Sequence, residues 1–151
     1  MNSQNEDNPE SRKNAMASES LLESYENCVL CPRLCGVDRR RGSQSLRTGF
    51  CGETDRLRVA YVGPHFGEEP PISGRNGSGT VFLAGCSLRC SFCQNYQISL
   101  QVLGDLVSLE QLVFSIEQLI RFSHVHNVNF VTPDHFFPHV FLLVSILRQE
   151  S

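Results

Sequence analysis

Apolar positions along the chain fall into three short runs and two longer helical stripes, set among polar, glycine- and proline-rich stretches. Residues 1–20 almost lack large apolar side chains and read as a disordered leader. Leu21, Leu22 and Tyr25 then recur at helical spacing, which predicts a short helix docked on the body. Leu57–Val62 (L-R-V-A-Y-V) alternates and is β-branched, so it predicts a strand. Gly63–Gly74 holds three prolines and three glycines in twelve residues, a composition that argues against regular structure. After a turn at Gly77–Gly79, the continuous apolar run Thr80–Ala84 predicts a buried parallel strand. A second turn is expected at Gly104–Asp105. Leu109, Leu112, Val113, Ile116, Leu119 and Ile120 then form one helical stripe. Ser108 and Gln111 supply a capping box at its start, and Arg121 suits its last turn. His124, His126 and Asn127 read as a solvated return loop. Val128–Val131 predicts the next strand, completing a βαβ unit. Phe136–Leu147 predicts a second, very apolar helix, entered through a Thr132 cap and Pro133 or delayed past Pro138.

Composition narrows the class. The 151 residues are 40% hydrophobic and 19% charged, the balance of one globular domain with a real core. A net charge of −3 without a basic stripe argues against nucleic acid as a partner. Val140–Leu147, the longest apolar run, is far short of the ~18 residues that cross a membrane. No apolar secretory segment opens the chain, which points to a reducing cytoplasm. There the seven cysteines, an odd number, read as metal ligands rather than disulfides.

Those cysteines stand in two groups. Cys86, Cys90 and Cys93 have C-x3-C-x2-C spacing on the loop that leaves Thr80–Ala84. In α/β folds the carboxyl ends of strands carry the chemistry. Three thiolates on one loop suit a [4Fe–4S] cluster with one iron open to a further ligand, since four would close it. The alternative is a zinc knuckle borrowing its fourth ligand from elsewhere. Phe92 is expected to form an apolar wall shielding the sulfurs. Cys28, Cys31, Cys35 and Cys51 make the second group, punctuated by Pro32, Gly36, Gly49 and Gly52. Their spacing admits a closed structural zinc site or an accessory Fe–S cluster. The basic run Arg39–Arg41 inside this segment reads as a solvated turn, with a docking patch for an acidic partner as the alternative. His65, Glu68 and Glu69 are either catalytic or part of a rigid surface loop.

Several motifs together resemble one family. They are C-V-L-C-P-R-L-C-G-V-D-R (28–39), G-F-C-G-E (49–53), G-E-E-P-P-I-S-G (67–74), G-S-G-T-V-F (77–82), G-C-S-L-R-C-S-F-C-Q-N (85–95) and N-F-V-T-P-D-H-F (129–136). From Cys28 to Leu147 the chain resembles the radical S-adenosylmethionine (radical SAM) proteins related to pyruvate formate-lyase-activating enzyme. The resemblance implies an α/β fold: an incomplete radical SAM (β/α) barrel behind a Cys-rich N-terminal segment. It divides the chain into a leader (1–20), a metal-binding segment (21–56) and the first βα units of a barrel (57–151). It implies a [4Fe–4S] cluster on Cys86, Cys90 and Cys93, with S-adenosylmethionine on the open iron. Reductive cleavage would give methionine and a 5′-deoxyadenosyl radical. A flavodoxin- or ferredoxin-like protein would supply the electron, and a glycyl-radical enzyme is the expected target. Relatives bind the methionine amino group with a glycine-rich G-G-E-type segment. Here Thr132-Pro133-Asp134-His135 takes its place, so Thr132 and Asp134 are the candidate cofactor-binding residues. Relatives also carry further βα units, so the chain is read as truncated, and the activity is an inference from the family rather than an assignment to this chain. No catalytic side chain is assigned. The competing readings are a non-enzymatic zinc- or Fe–S-binding module and a simple electron-transfer Fe–S protein.

Overall fold

A computed structural model describes residues 19–40 and 48–149. The expected leader therefore lies outside the described residues, save Glu19 and Ser20, which already belong to a helical turn at 19–23 (α1). The elements that follow are β1 (Arg58–His65), α2 (Pro70–Ser73), β2 (Ser78–Leu83), α3 (Tyr96–Ser99), β3 (Asp105–Leu106), α4 (Leu109–Ser123), β4 (Val128–Val131) and α5 (Phe137–Gln149). A 3-10 turn, Asp134–Phe136, leads into α5.

The four strands form one open sheet in the order β3-β1-β2-β4. β1 runs antiparallel to both β2 and β3, while β2 and β4 are parallel, with Phe82 opposite Val131. The expected βαβ unit is thus present, with α4 in the crossover. The protein is α/β with a mixed sheet. α4 packs on β1 and β2, and α5 packs on α4. Leu57, Val59, Val81 and Leu83 meet Leu112, Val113, Ile116, Phe136 and Leu143 in the core, which Tyr25 closes from the N-terminal segment. A bulge between Val59 and Tyr61 turns the two residues to opposite faces. Val59 joins the core, and Tyr61 lies edge-on to Phe82 on the other face.

The structure corrects five local expectations. β1 continues through Gly63, Pro64 and His65, because β3 pairs only with Arg58 and Val59 and leaves an open edge at Pro64. Pro70 and Pro71 open the short α2 rather than breaking it, since proline suits the first turn of a helix. Asp105 is not in a turn but pairs with Val59 in β3. Ile120 is 45% exposed, at the edge of the α4 stripe. Thr132 has a φ of +54°, outside the extended region an N-cap needs, so α5 begins at Phe137 with Pro138 in its first turn.

Candidate metal and cofactor site

β2 and β4 are parallel, so their carboxyl ends reach the same edge of the sheet. The first delivers the cysteine loop and the second delivers Thr132–His135. The loop leaves β2 through Ala84, whose N–H bonds the Arg58 carbonyl at 2.9 Å, and through Gly85. Gly85 has a φ of +78°, and a Cβ there would lie 2.8 Å from the Cys51 carbonyl oxygen and from Glu53 Cγ. Glycine alone permits this approach. The Cys86 N–H then donates to the Cys51 carbonyl at 3.3 Å.

The cysteines carry partners of their own. Cys86 is buried, and its sulfur accepts the Leu88 N–H at 3.4 Å. Cys93 closes a turn onto the Cys90 carbonyl, and its sulfur lies 3.2 Å from the hydroxyl of buried Ser99. All seven cysteines are free thiols. Phe92 does not shield them: it is 89% exposed.

Across the edge, the Ser87 hydroxyl donates to the Asp134 carboxylate. His135 Nδ1, 3.8 Å away, and this hydroxyl hold the Asp134 carboxyl down at about 2, so it is an anion at neutral pH. His135 is buried, and its Nε2–H donates to the Ala84 carbonyl at 2.8 Å. The Thr132 hydroxyl faces the Leu83 and Gly85 carbonyls at 3.4 and 3.5 Å. Thr132 and Asp134 are therefore both at the loop.

The N-terminal cysteine segment is seated directly on this loop. Arg33 donates to the Ser87 and Leu88 carbonyls at 2.7 and 3.2 Å, and Arg89 returns a bond to the Phe50 carbonyl at 3.1 Å. Both guanidinium groups lie over the Phe50 ring, at 4.0 and 5.6 Å. Within the segment, Cys28 and Cys51 are buried, while Cys31 and Cys35 are half-buried. The Cys35 sulfur accepts the Phe50 N–H at 3.3 Å.

Arg39 overturns its expectation as a solvated residue. It is fully buried, and its guanidinium donates to the carbonyls of Glu53, His135 and Thr54 and to the Cys28 sulfur. Arg40 alone behaves as expected, paired with Asp38 and Glu26 at the surface; Arg41 lies outside the described residues. Glu53, 2% exposed, faces Arg58 Nε at 3.2 Å, and burial pushes its carboxyl up to about 7. Arg39, Glu53, Ser87 and His135 were invisible as site residues in the sequence. The one available signal was their place inside or beside the cysteine motifs. His65 and Glu68 form a surface pair at 3.6 Å, far along β1 from this edge.

Among the described residues, no three His, Cys, Asp or Glu side chains are gathered tightly enough for a single metal ion. Tetrahedral zinc, with Zn–S near 2.3 Å, needs its sulfurs roughly 3.8 Å apart. A cubane cluster places an iron under each thiolate and spaces them more widely. The donor chemistry of the Cys86–Cys93 loop fits such a group: three free thiols, with an N–H and a hydroxyl aimed at sulfur.

No protein-family model matches the chain, and no solved structure matches it. It is similar to an uncharacterized protein of Methanocaldococcus jannaschii, 30% identical over 135 residues, which are 84% of this chain and 35% of that protein. The chain thus spans about a third of the length of this relative.

Proposed function

We propose that the chain is a radical SAM iron–sulfur protein of the activating-enzyme type. The observation that supports it most is the C-x3-C-x2-C loop at the carboxyl end of β2, bonded through Ser87 to the Asp134 anion at the end of β4. Cys86, Cys90 and Cys93 would hold a [4Fe–4S] cluster. When bound, the cluster supplies one electron that cleaves S-adenosylmethionine to methionine and a 5′-deoxyadenosyl radical. The chain's own residues hold and orient. The Leu88 N–H and Ser99 hydroxyl stabilise thiolate charge at Cys86 and Cys93. Asp134 would accept a hydrogen bond from the ammonium group of the cofactor, with the Thr132 hydroxyl beside it. β2–α4–β4 would be the opening βα units of a (β/α) barrel. Cys28, Cys31, Cys35 and Cys51 would hold zinc or a second Fe–S cluster. A flavodoxin- or ferredoxin-like protein of a reducing cytoplasm is the electron donor, and a glycyl-radical enzyme the target. Among the described residues, no helix is long and apolar enough to cross a membrane.

The test is anaerobic reconstitution with iron and sulfide, followed by reduction. A [4Fe–4S] EPR signal that shifts on adding S-adenosylmethionine is expected, with 5′-deoxyadenosine as the product of turnover. Asp134→Asn should weaken the cofactor-induced shift at least tenfold in S-adenosylmethionine concentration, leaving the cluster itself intact. Colourless, zinc-loaded protein as the sole product would refute the reading.

A further inference from the structure

Where the two cysteine groups meet, the surface differs in charge from the chain as a whole. Residues 28–37, 48–52 and 85–104 carry two charged side chains, Arg33 and Arg89, in a chain of net charge −3. Both arginines are exposed. Both guanidinium groups lie over the Phe50 ring, which still remains 43% exposed. Leu34 and Leu88, their neighbours in sequence, are exposed as well. Two carboxyl groups border this surface. Glu53 is buried and faces Arg58, and the Asp134 anion accepts the Ser87 hydroxyl beside His135. Even with Asp134 counted, two cations leave the face positive.

The face is also pre-formed. Arg33 is pinned to the Ser87 and Leu88 carbonyls and Arg89 to the Phe50 carbonyl, so little side-chain entropy is left to lose on binding. A cavity of about 240 Å³, lined by Pro32, Arg33, Ser87 and Leu88, lies between the two segments and has room for an anchoring side chain. Fixed arginines, an exposed aromatic ring and apolar neighbours are the composition of a protein-docking face, and its charge selects an acidic partner. Ser87, Leu88 and Arg89 lie between Cys86 and Cys90, so a partner seated there covers the loop itself. We infer that the Arg33–Phe50–Arg89 face, with Leu34 and Leu88, is the docking surface for an acidic electron-carrier protein. The inference rests on the iron–sulfur reading of Cys86, Cys90 and Cys93. One electron leaves the carrier, which is oxidised by one, and reduces the cluster by one, with no bond made or broken.

The experiment uses the full chain after anaerobic reconstitution, with an acidic flavodoxin as the probe. Calorimetric titration of oxidised flavodoxin into the chain reads docking. Stopped-flow reduction by flavodoxin hydroquinone is compared with reduction by dithionite, which needs no docking. Binding should weaken at least tenfold between about 20 and 300 mM NaCl. Arg89→Gln removes a cation, and Leu34→Glu sets an anion beside Arg33 while leaving its bonds in place. Each should weaken low-salt binding at least fivefold and flatten the salt dependence. Flavodoxin-driven reduction should slow in parallel, while dithionite-driven reduction stays within about twofold of the parent. Low-salt affinity and flavodoxin-driven rate equal to the parent's in both variants would overturn the inference, as would tighter binding of a cationic cytochrome c. If Arg89→Gln fails to fold or to hold a cluster, Leu34→Glu decides on the same readings. Self-association that Leu34→Glu abolishes, without flavodoxin binding, would give the face to a second copy and overturn the inference equally. A dithionite-reducible cluster with no salt-sensitive flavodoxin binding overturns the docking face alone. A chain that yields no reducible cluster refutes the iron–sulfur reading, and the inference with it.

Discussion

Gly85 lies where the two cysteine groups meet, one residue before the Cys86 N–H that bonds the Cys51 carbonyl. Its Cβ would meet the Cys51 carbonyl and Glu53 at 2.8 Å, and His135 Nε2 at 3.3 Å, on a residue with φ of +78°. Gly85→Ala is therefore strained in both space and dihedral, at a cost of about 1–3 kcal/mol. The expected outcome is a lower Tm together with impaired cluster incorporation; unchanged reconstitution would show that the loop tolerates separation from Cys51. The glycine could be read in the sequence as part of the loop, and so could the cysteines, because ligand spacing is a local property. Arg39 could not. Its contacts reach 14 residues to Glu53 and 96 to His135. Nothing in a run of three arginines distinguishes the one that turns inward. Phe92 erred the other way, since an apolar side chain beside a cysteine says nothing about which face of the loop it takes.

At the level of elements, legibility followed length and locality. α4 carries its own start signal: the Ser108 side chain caps Gln111 N–H, and the Gln111 side chain returns the bond. β3 holds two residues and exists only because β1 offers an edge, so no pattern in the sequence could announce it. The joint between the turn after α1 and α5 was equally hidden. There the Tyr25 hydroxyl and His139 Nδ1 share a hydrogen bond at 2.8 Å, across 114 residues. Burial, with a contribution from Arg39, pushes His139 down to about 4 from its ordinary 6.5. Between these values the unfolded chain takes up a proton that the folded chain refuses. Stability from this joint is thus complete above pH 6.5 and is lost as the pH falls toward 4. His139→Gln should flatten that part of the stability–pH curve, measured by urea unfolding at pH 4.5 and 7. A variant curve as steep as the parent's would exclude His139 as its source.

Over the whole molecule, apolar surface is unevenly distributed. Phe114 and Phe122 on α4 are 61% and 68% exposed, and Phe137 and Phe141 on α5 are each 52% exposed, with ring centroids 6.0 Å apart. An exposed apolar surface of this kind binds hydrophobic dyes and promotes association. ANS fluorescence and a mass that rises with concentration in light scattering are expected, both reduced by Phe122→Ser with Phe141→Ser; a dye-silent monomer would contradict this. The sheet has the opposite distribution of strength. β1 and β2 are the two inner strands, but β3 covers only Arg58 and Val59 of β1, whereas β4 pairs with β2 from Gly79 to Phe82, and the residues of β2 are the most uniformly buried. The amides of β2 should exchange with solvent only when the entire domain opens, while those of β3 exchange through local fraying. The cysteine loop hangs from that slowest-opening strand. On the proposed reading, loading and loss of a cluster there would be events of the loop by itself, on a timescale set free from the lifetime of the fold.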